Sequence, residues 1–226
     1  MEVAGHLVWA LLRSAFNWST PMVYKRNPNR LHPTKQKLLT SFLAMSADQD
    51  LADITVDALL NATGIAKGSL YYHFEDFDDL IAQAKAQMFS TGVDRSIGSI
   101  RAILADSETA EDFRRHIREL ILDTLTPEGV HRRLIRASIL GASMKVPKLQ
   151  QYIFIEQSRL TDEIAEMFSS AQERGLVKKS LDTKVAAVFI QVYTFGKIVD
   201  DISQDPVNAN DWVDWIMSIL DHKILS

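Results

Sequence analysis

Apolar residues recur three and four positions apart along most of this chain, the spacing that gives a helix one buried face. Leu38, Leu39, Phe42 and Met45 make such a stripe and predict a first helix from about Thr34 to Ala47, opened by Pro33 and Thr34. Val56, Leu59 and Leu60 predict a short second helix behind Thr55, whose hydroxyl suits an N-cap. Gly64 stands where a left-handed residue ends that helix, and Leu70 and Phe74 anchor a third. A fourth starts near Asp76, with Asp76, Asp78 and Asp79 at the positive end of its dipole, and continues through Ile81 and Met88.

The rest also reads as helices. Phe113, Ile117, Leu120 and Ile121 mark one. Pro127 opens another with Leu134, Ile135 and Ile139 inward. Pro147 opens a long one with Leu160, Ile164, Met167 and Phe168 inward, ended by Gly175. The stretch Leu181–Ile202 differs, because Val185–Ile190 is uninterruptedly apolar and Val192, Tyr193 and Phe195 follow. A helix apolar nearly all round is expected to be buried on both sides. Beyond Pro206, Trp212, Val213, Trp215, Ile216 and Ile219 line a last helix. The fold class is therefore all-α: a three-helix head joined by the fourth helix to a larger helical body. Residues 1–30 form an N-terminal extension, 31–91 the head and 92–226 the body.

The segment Ile54–Phe74 reads as a helix–turn–helix whose second helix suits the DNA major groove. With Leu70 and Phe74 turned to the core, Lys67, Ser69, Tyr71 and Tyr72 are left outward, and the bare Gly68 lets backbone approach a phosphate. Tyr71 and Tyr72 point about 100° apart on a helix, so at least one faces out. Thr55, Val56, Gly64, Lys67, Gly68, Leu70, Tyr71, His73, Phe74 and Leu80 stand at the matching places of the run T-V-x-x-I-A-x-x-A-G-V-S-K-G-T-L-Y-x-H-F and its acidic continuation. The segment thus resembles the tetracycline-repressor-like (TetR) family of bacterial regulators. The match covers about 50 residues directly; the remainder fits by length and helical pattern. Leu60 and Thr63 depart from the family's small alanines, and Ala66 from its capping serine. Asp50 stands in place of a glycine, and Phe77 in place of a phosphate-gripping lysine.

The resemblance implies a DNA interface of Thr55, Lys67, Gly68, Ser69, Tyr71, Tyr72 and His73. It also implies an effector pocket lined by some of the body's aromatic residues, for which Phe154, Phe168, Phe189 and Tyr193 are the candidates. Phe195 belongs to the same group, and plain core packing is the alternative for each. Pairing Val185, Val188 and Val192 with Trp212, Trp215 and Ile219 of a second copy would give a two-fold four-helix interface, which the resemblance also implies.

The net charge of −4 argues against nucleic acid until its distribution is considered. Residues 1–47 carry six basic side chains and one acidic, and from Met22 to Ala47 there is no acidic residue. Lys25, Arg26 and Arg30 in this arm can attract phosphates by counterion release, although a short basic arm can also be an ordinary solvated terminus. The reading head is not itself basic, since Lys67 is its only cation between Asp48 and Leu80. Leu7–Trp18 is apolar but contains Arg13 and is shorter than the about 20 residues a membrane span needs. Glu2 does not suit a secretory signal. The stretch is read as an extension packed on the body, or as preceding a true start at Met22; either implies a cytoplasmic location with no membrane partner.

No cysteine is present, which removes disulfides and thiolate metal sites. The histidines His6, His32, His73, His116, His131 and His222 show no metal-ligand clustering; His116 and His131 on separate helices are read as surface residues. Asp200 and Asp201, near Asp205, read as a solvated helix end. There is no nucleotide-binding loop and no G-x-S-x-G elbow. No catalytic residue, metal or cofactor is assigned, and the chain is not read as an enzyme. The expectation is a homodimeric DNA-binding transcriptional regulator, in first place a repressor released from a palindromic operator by a small apolar effector. An activator or effector-independent regulator of the same fold is the alternative, and a helical enzyme or ligand-binding protein is the rival from another class.

Overall fold

The computed structural model describes residues 32–46 and 53–225. The basic arm with Lys25, Arg26 and Arg30, both candidate starts, and Asp50 lie outside the described residues. Helix α1 spans Pro33–Met45, α2 Val56–Thr63 and α3 Lys67–His73. Helix α4 runs unbroken over Phe77–Asp106. The body adds α5 (Ala110–Thr124), α6 (Pro127–Ser143), α7 (Pro147–Glu173), α8 (Thr183–Gly196), the single turn α9 (Ile198–Asp201) and α10 (Ala209–Lys223). Val177 and Leu225 form an isolated antiparallel bridge, the nearest thing to a sheet among the described residues.

Local chemistry explains the helix ends. Proline opens α1, α6 and α7, where its missing N–H costs no helical bond. Asp76 caps α4 through the Asp79 amide at 2.7 Å, and Thr109 and Asp112 close a reciprocal capping box on α5. Gly64 and Gly175 take φ of 65° and 73°, which end α2 and α7 at little steric cost.

Two apolar cores share α4. Leu38, Leu39, Phe42, Leu59, Leu70, Phe74, Leu80 and Ala84 belong to the head core, whereas Ala82, Phe89, Val93 and Ile97 belong to the body core. The change of core therefore falls near Ala82–Ala84, inside the helix and ahead of the division at residue 91 read from the sequence. In the body, α4 packs most extensively on α7, and α7 on α8.

Three expectations are corrected. Helix α8 is not buried on both sides: Ala186 and Ala187 are, but Val185, Val188 and Val192 are 64%, 46% and 62% exposed. One wall of α8 packs on α7, and among the described residues nothing covers the other. On α6, Leu134 is exposed, and the residue beside it, Arg133, turns inward instead. Asp201 is not solvated. Its carboxylate is 3% exposed and accepts two bonds from Arg133, Nε at 2.5 Å and Nη2 at 3.0 Å. Lys197 joins this buried cluster, bonding Asp200 and lying 3.7 Å from Asp201. No helix of the described residues is long and apolar enough to cross a membrane.

Candidate nucleic-acid interface

The reading head is built on a rigid turn. Thr55 accepts the Ala58 amide at 3.2 Å, which fixes the start of α2 and leaves its hydroxyl proton free to donate. Thr63, larger than the small residue expected there, is buried by turning its hydroxyl to the Leu59 carbonyl at 2.8 Å. Lys37 of α1 donates to the Thr63 carbonyl at 2.7 Å, so the first helix clamps the C-terminus of the second. Ala66 offers α3 no side-chain cap, as its methyl requires. Phe77 packs edge-on against Phe42 at 5.9 Å and so reinforces the core rather than holding a phosphate.

Helix α3 buries Leu70 and is held at its end by Phe74. Its other side is bare: Lys67, Gly68 and Ser69 are exposed, Tyr71 is 45% exposed and Tyr72 84%. A Cβ at Gly68 would meet nothing within 4 Å among the described residues, so the glycine keeps a surface open rather than permitting a close internal contact. His73 is half-buried, with its ring 4.6 Å from His32 and edge-on to Tyr72 at 5.0 Å. Burial, and then the charges of His32 and Lys35, hold its pKa below the ordinary value. Lys35 also lies over the Phe74 ring at 5.0 Å. His32 and Lys35 thus join the rim of α3. Sequence reading did not assign them, because their proximity to His73 is tertiary. Beside this rim, Glu75 pairs with Lys148 of α7 at 2.6 Å, a solvated bridge from head to body that raises the lysine's pKa.

Of the aromatic candidates, Phe168, Phe189 and Tyr193 belong to one core and Phe154 stands outside it. Phe168 is packed in the core, and Phe189 and Tyr193 form a tilted pair at 5.5 Å on its edge. Burial pushes the Tyr193 phenol up to about 12. Phe154 sits on the outside of α7, in an open groove with Ser158, Arg159, Asp162, Glu163 and Glu166. The interface candidates do share a surface character. Trp215 of α10 is 66% exposed, Trp212 and Ile219 are half-buried, and Val199 and Ile202 extend the apolar surface beyond α8. Among the described residues no group of three or more His, Asp or Glu side chains has metal-site geometry; His116 Nδ1 lies instead 2.9 Å from the Ser107 hydroxyl.

No family model matches the chain. It is similar to the HTH-type transcriptional regulator UidR of Escherichia coli K12, at 21% identity over 173 residues, which is 76% of this chain and 84% of that protein. Its fold is similar to that of Salmonella enterica GusR, with a TM-score of 0.62 and 19% identity over 84% of this chain and 94% of the other. A TetR-family regulator from Mesorhizobium loti has a TM-score of 0.61 and 14% identity over the same shares.

Proposed function

We propose that this chain, a TetR-like helix–turn–helix transcriptional regulator, works as a homodimeric repressor that releases a palindromic operator when a small effector enters its body. The exposed face of α3 carries the reading: a helix anchored by buried Leu70 and Phe74 presents Lys67, Ser69, Tyr71 and Tyr72 with nothing over them among the described residues. Lys67 reaches a phosphate or a guanine edge, and Thr55, Tyr71, Tyr72 and His73 grip the backbone, with Gly68 admitting its approach. Lys25, Arg26 and Arg30 add sequence-poor electrostatic affinity.

Two copies are needed because one α3 spans half a site. Val185, Val188 and Val192 on α8 and Trp215 on α10 supply the apolar surface that a second copy would cover, with Trp212 and Ile219 beneath it. The two recognition helices then match half-sites about one helical turn of DNA apart, or a multiple of it. An effector releases DNA only by binding the other spacing more tightly, and α4 is the element that joins body to head. Selection of bound duplexes from a random pool, with the ligand-free protein, tests the scheme. It should return a palindrome; recovery of single half-sites, or of no consensus, would overturn it.

A further inference from the structure

Three arginines of this protein are held by carboxylates in one way. Arg101 meets Glu163, Arg114 meets Asp221 and Arg133 meets Asp201, each through the Nε and Nη2 edge of the guanidinium and both carboxylate oxygens, whereas Arg159 sets the same edge on a single oxygen of Glu156. Arg136, one turn beyond Arg133 on α6, presents the same edge to the interior of the body without a carboxylate partner among the described residues. Its Nη2 donates to the neutral Oε1 of Gln157 on α7 at 2.5 Å. Its Nε is buried and has no hydrogen-bond partner. The guanidinium lies 5.1 Å from the centroid of the Phe89 ring on α4, and Ser90, next in that helix, has the other unpartnered buried side-chain atom among the described residues. Gln157 is itself held in place: its amide donates to Gln191 of α8 at 2.5 Å, and Gln191 donates to Thr161 at 3.0 Å. The three amide and hydroxyl groups satisfy one another in a chain that ends on Arg136 and leaves the positive charge unmatched. Burial without a counter-charge pulls the arginine's pKa down.

We propose that Arg136 is the anchor for the carboxylate of a small organic acid bound inside the body, a deepening of the effector reading above, on which it rests. The carboxylate takes Nε and shares or displaces Gln157 at Nη2, completing the fork that the other three arginines already have. The effector read from the sequence as apolar is therefore acidic at one end, with its remaining surface against the Phe89 side of the site. Bound there it touches α4, which leads to the head, and through Gln157 and Gln191 it reaches α8, which carries the valine stripe.

The test uses the full-length, ligand-free protein and three probes: acetate, benzoate and octanoate, each beside its primary amide. The readouts are the unfolding midpoint and the 15N–1H resonance of Arg136 Nε, identified by its absence in Arg136→Lys. At saturating probe, at least one acid should raise the midpoint by about 3 °C and move that resonance, while the amides do neither. Arg136→Met should melt no lower than the parent, because it removes an uncompensated charge, and should be blind to the acids. Equal responses to acid and amide, an undiminished response in Arg136→Met, or silence towards all three acids would overturn the proposal. So would a fall in the Arg136→Met midpoint of about 5 °C or more, the mark of a structural arginine. No DNA is present in these measurements, and no acid in the operator selection, so either reading can fail while the other stands.

Discussion

The buried cluster at the end of α9 allows the sharpest test of the fold. Asp201→Ala removes both acceptors of Arg133 Nε and Nη2, leaving that guanidinium, in a side chain 5% exposed, with only the Thr124 carbonyl at 3.2 Å. Lys197 keeps Asp200, so the orphaned charge is essentially that of Arg133. Breaking one side of a buried pair costs about 3–5 kcal/mol, because the remaining charge stays desolvated without compensation. For a domain of this size each kcal/mol moves the midpoint by about 2–4 °C, so thermal unfolding should shift down by about 6–20 °C. The double variant Arg133→Met with Asp201→Leu removes both charges and should recover most of that loss, since apolar replacements of a buried pair are often neutral. Circular dichroism melts of parent, single and double variants decide it. A single-variant loss below about 1 kcal/mol, the value of an exposed pair, or a double variant no better than the single, would refute the account. The same single variant should also weaken self-association, because the cluster pins the turn that displays Val199 and Ile202.

Four further outcomes follow from the interface. Lys67→Ala should weaken operator binding by about 1–3 kcal/mol with relaxed specificity at one position if it reads a base, or uniformly with a shallower salt slope if it holds phosphate; unchanged affinity in a titration would remove Lys67 from the site. Deleting residues 1–30 should flatten the salt dependence of DNA binding, and an identical slope would show that Lys25, Arg26 and Arg30 are idle. Val188→Asp should abolish dimerisation and operator binding together, as sedimentation and gel shift report; a monomer that still binds a palindrome tightly would defeat the two-fold scheme. The folded-state pKa of His73 lies below the ordinary histidine value of 6.5, so the folded head binds fewer protons than the unfolded chain in that window; stability held above 6.5 is lost as pH falls towards the folded value, and His73→Gln should reduce the loss seen between about pH 7.5 and about pH 5.5.

What was legible in the sequence was what short-range chemistry decides. Thr55 as cap, Gly64 in the left-handed turn, Leu70 and Phe74 as anchors and Asp76 as the start of α4 are each specified by neighbours within a few residues. Adjacent Tyr71 and Tyr72 cannot both point inward from one helix, and both rings are exposed. What escaped depends on partners far along the chain. Asp201 follows another aspartate near a helix end and looks solvated, but its partner is 68 residues away. Leu134 fits the helical stripe as well as its neighbours do, yet the inward position belongs to Arg133, which Asp201 compensates. Helix α8 misled in another way. Hydrophobic periodicity shows that an apolar surface wants cover, and carries no information about whether the cover comes from the same chain. The aromatic residues are a similar case: residue type identifies Phe154 and Phe168 as bulky and apolar, whereas only packing puts one outside α7 and the other in the core.

An ion pair and a shared helix both join body to head among the described residues, and they are not equivalent. Glu75 and Lys148 are both largely solvated, so their attraction is weakened by water and screened by salt, and it can bias the head's position without enforcing it. Helix α4 is different. Ala82 faces the body core and Ala84 the head core, two residues and about 200° apart, so opposite walls of one helix are gripped by the two cores. Phe89, beneath Arg136, lies nine residues from Leu80 in the head core, about 13.5 Å along an uninterrupted helix. There is no proline in α4, and Gly92 and Gly98 lie beyond Phe89 on the body side, so the stretch that matters contains no residue that would let it bend. A displacement or rotation imposed at Phe89 must therefore arrive at Leu80 nearly undiminished, and Leu80 shares its core with Leu70 and Phe74, the anchors of α3. Any motion passed between body and head would therefore travel along the shared helix, with the exposed bridge adding only a weak bias.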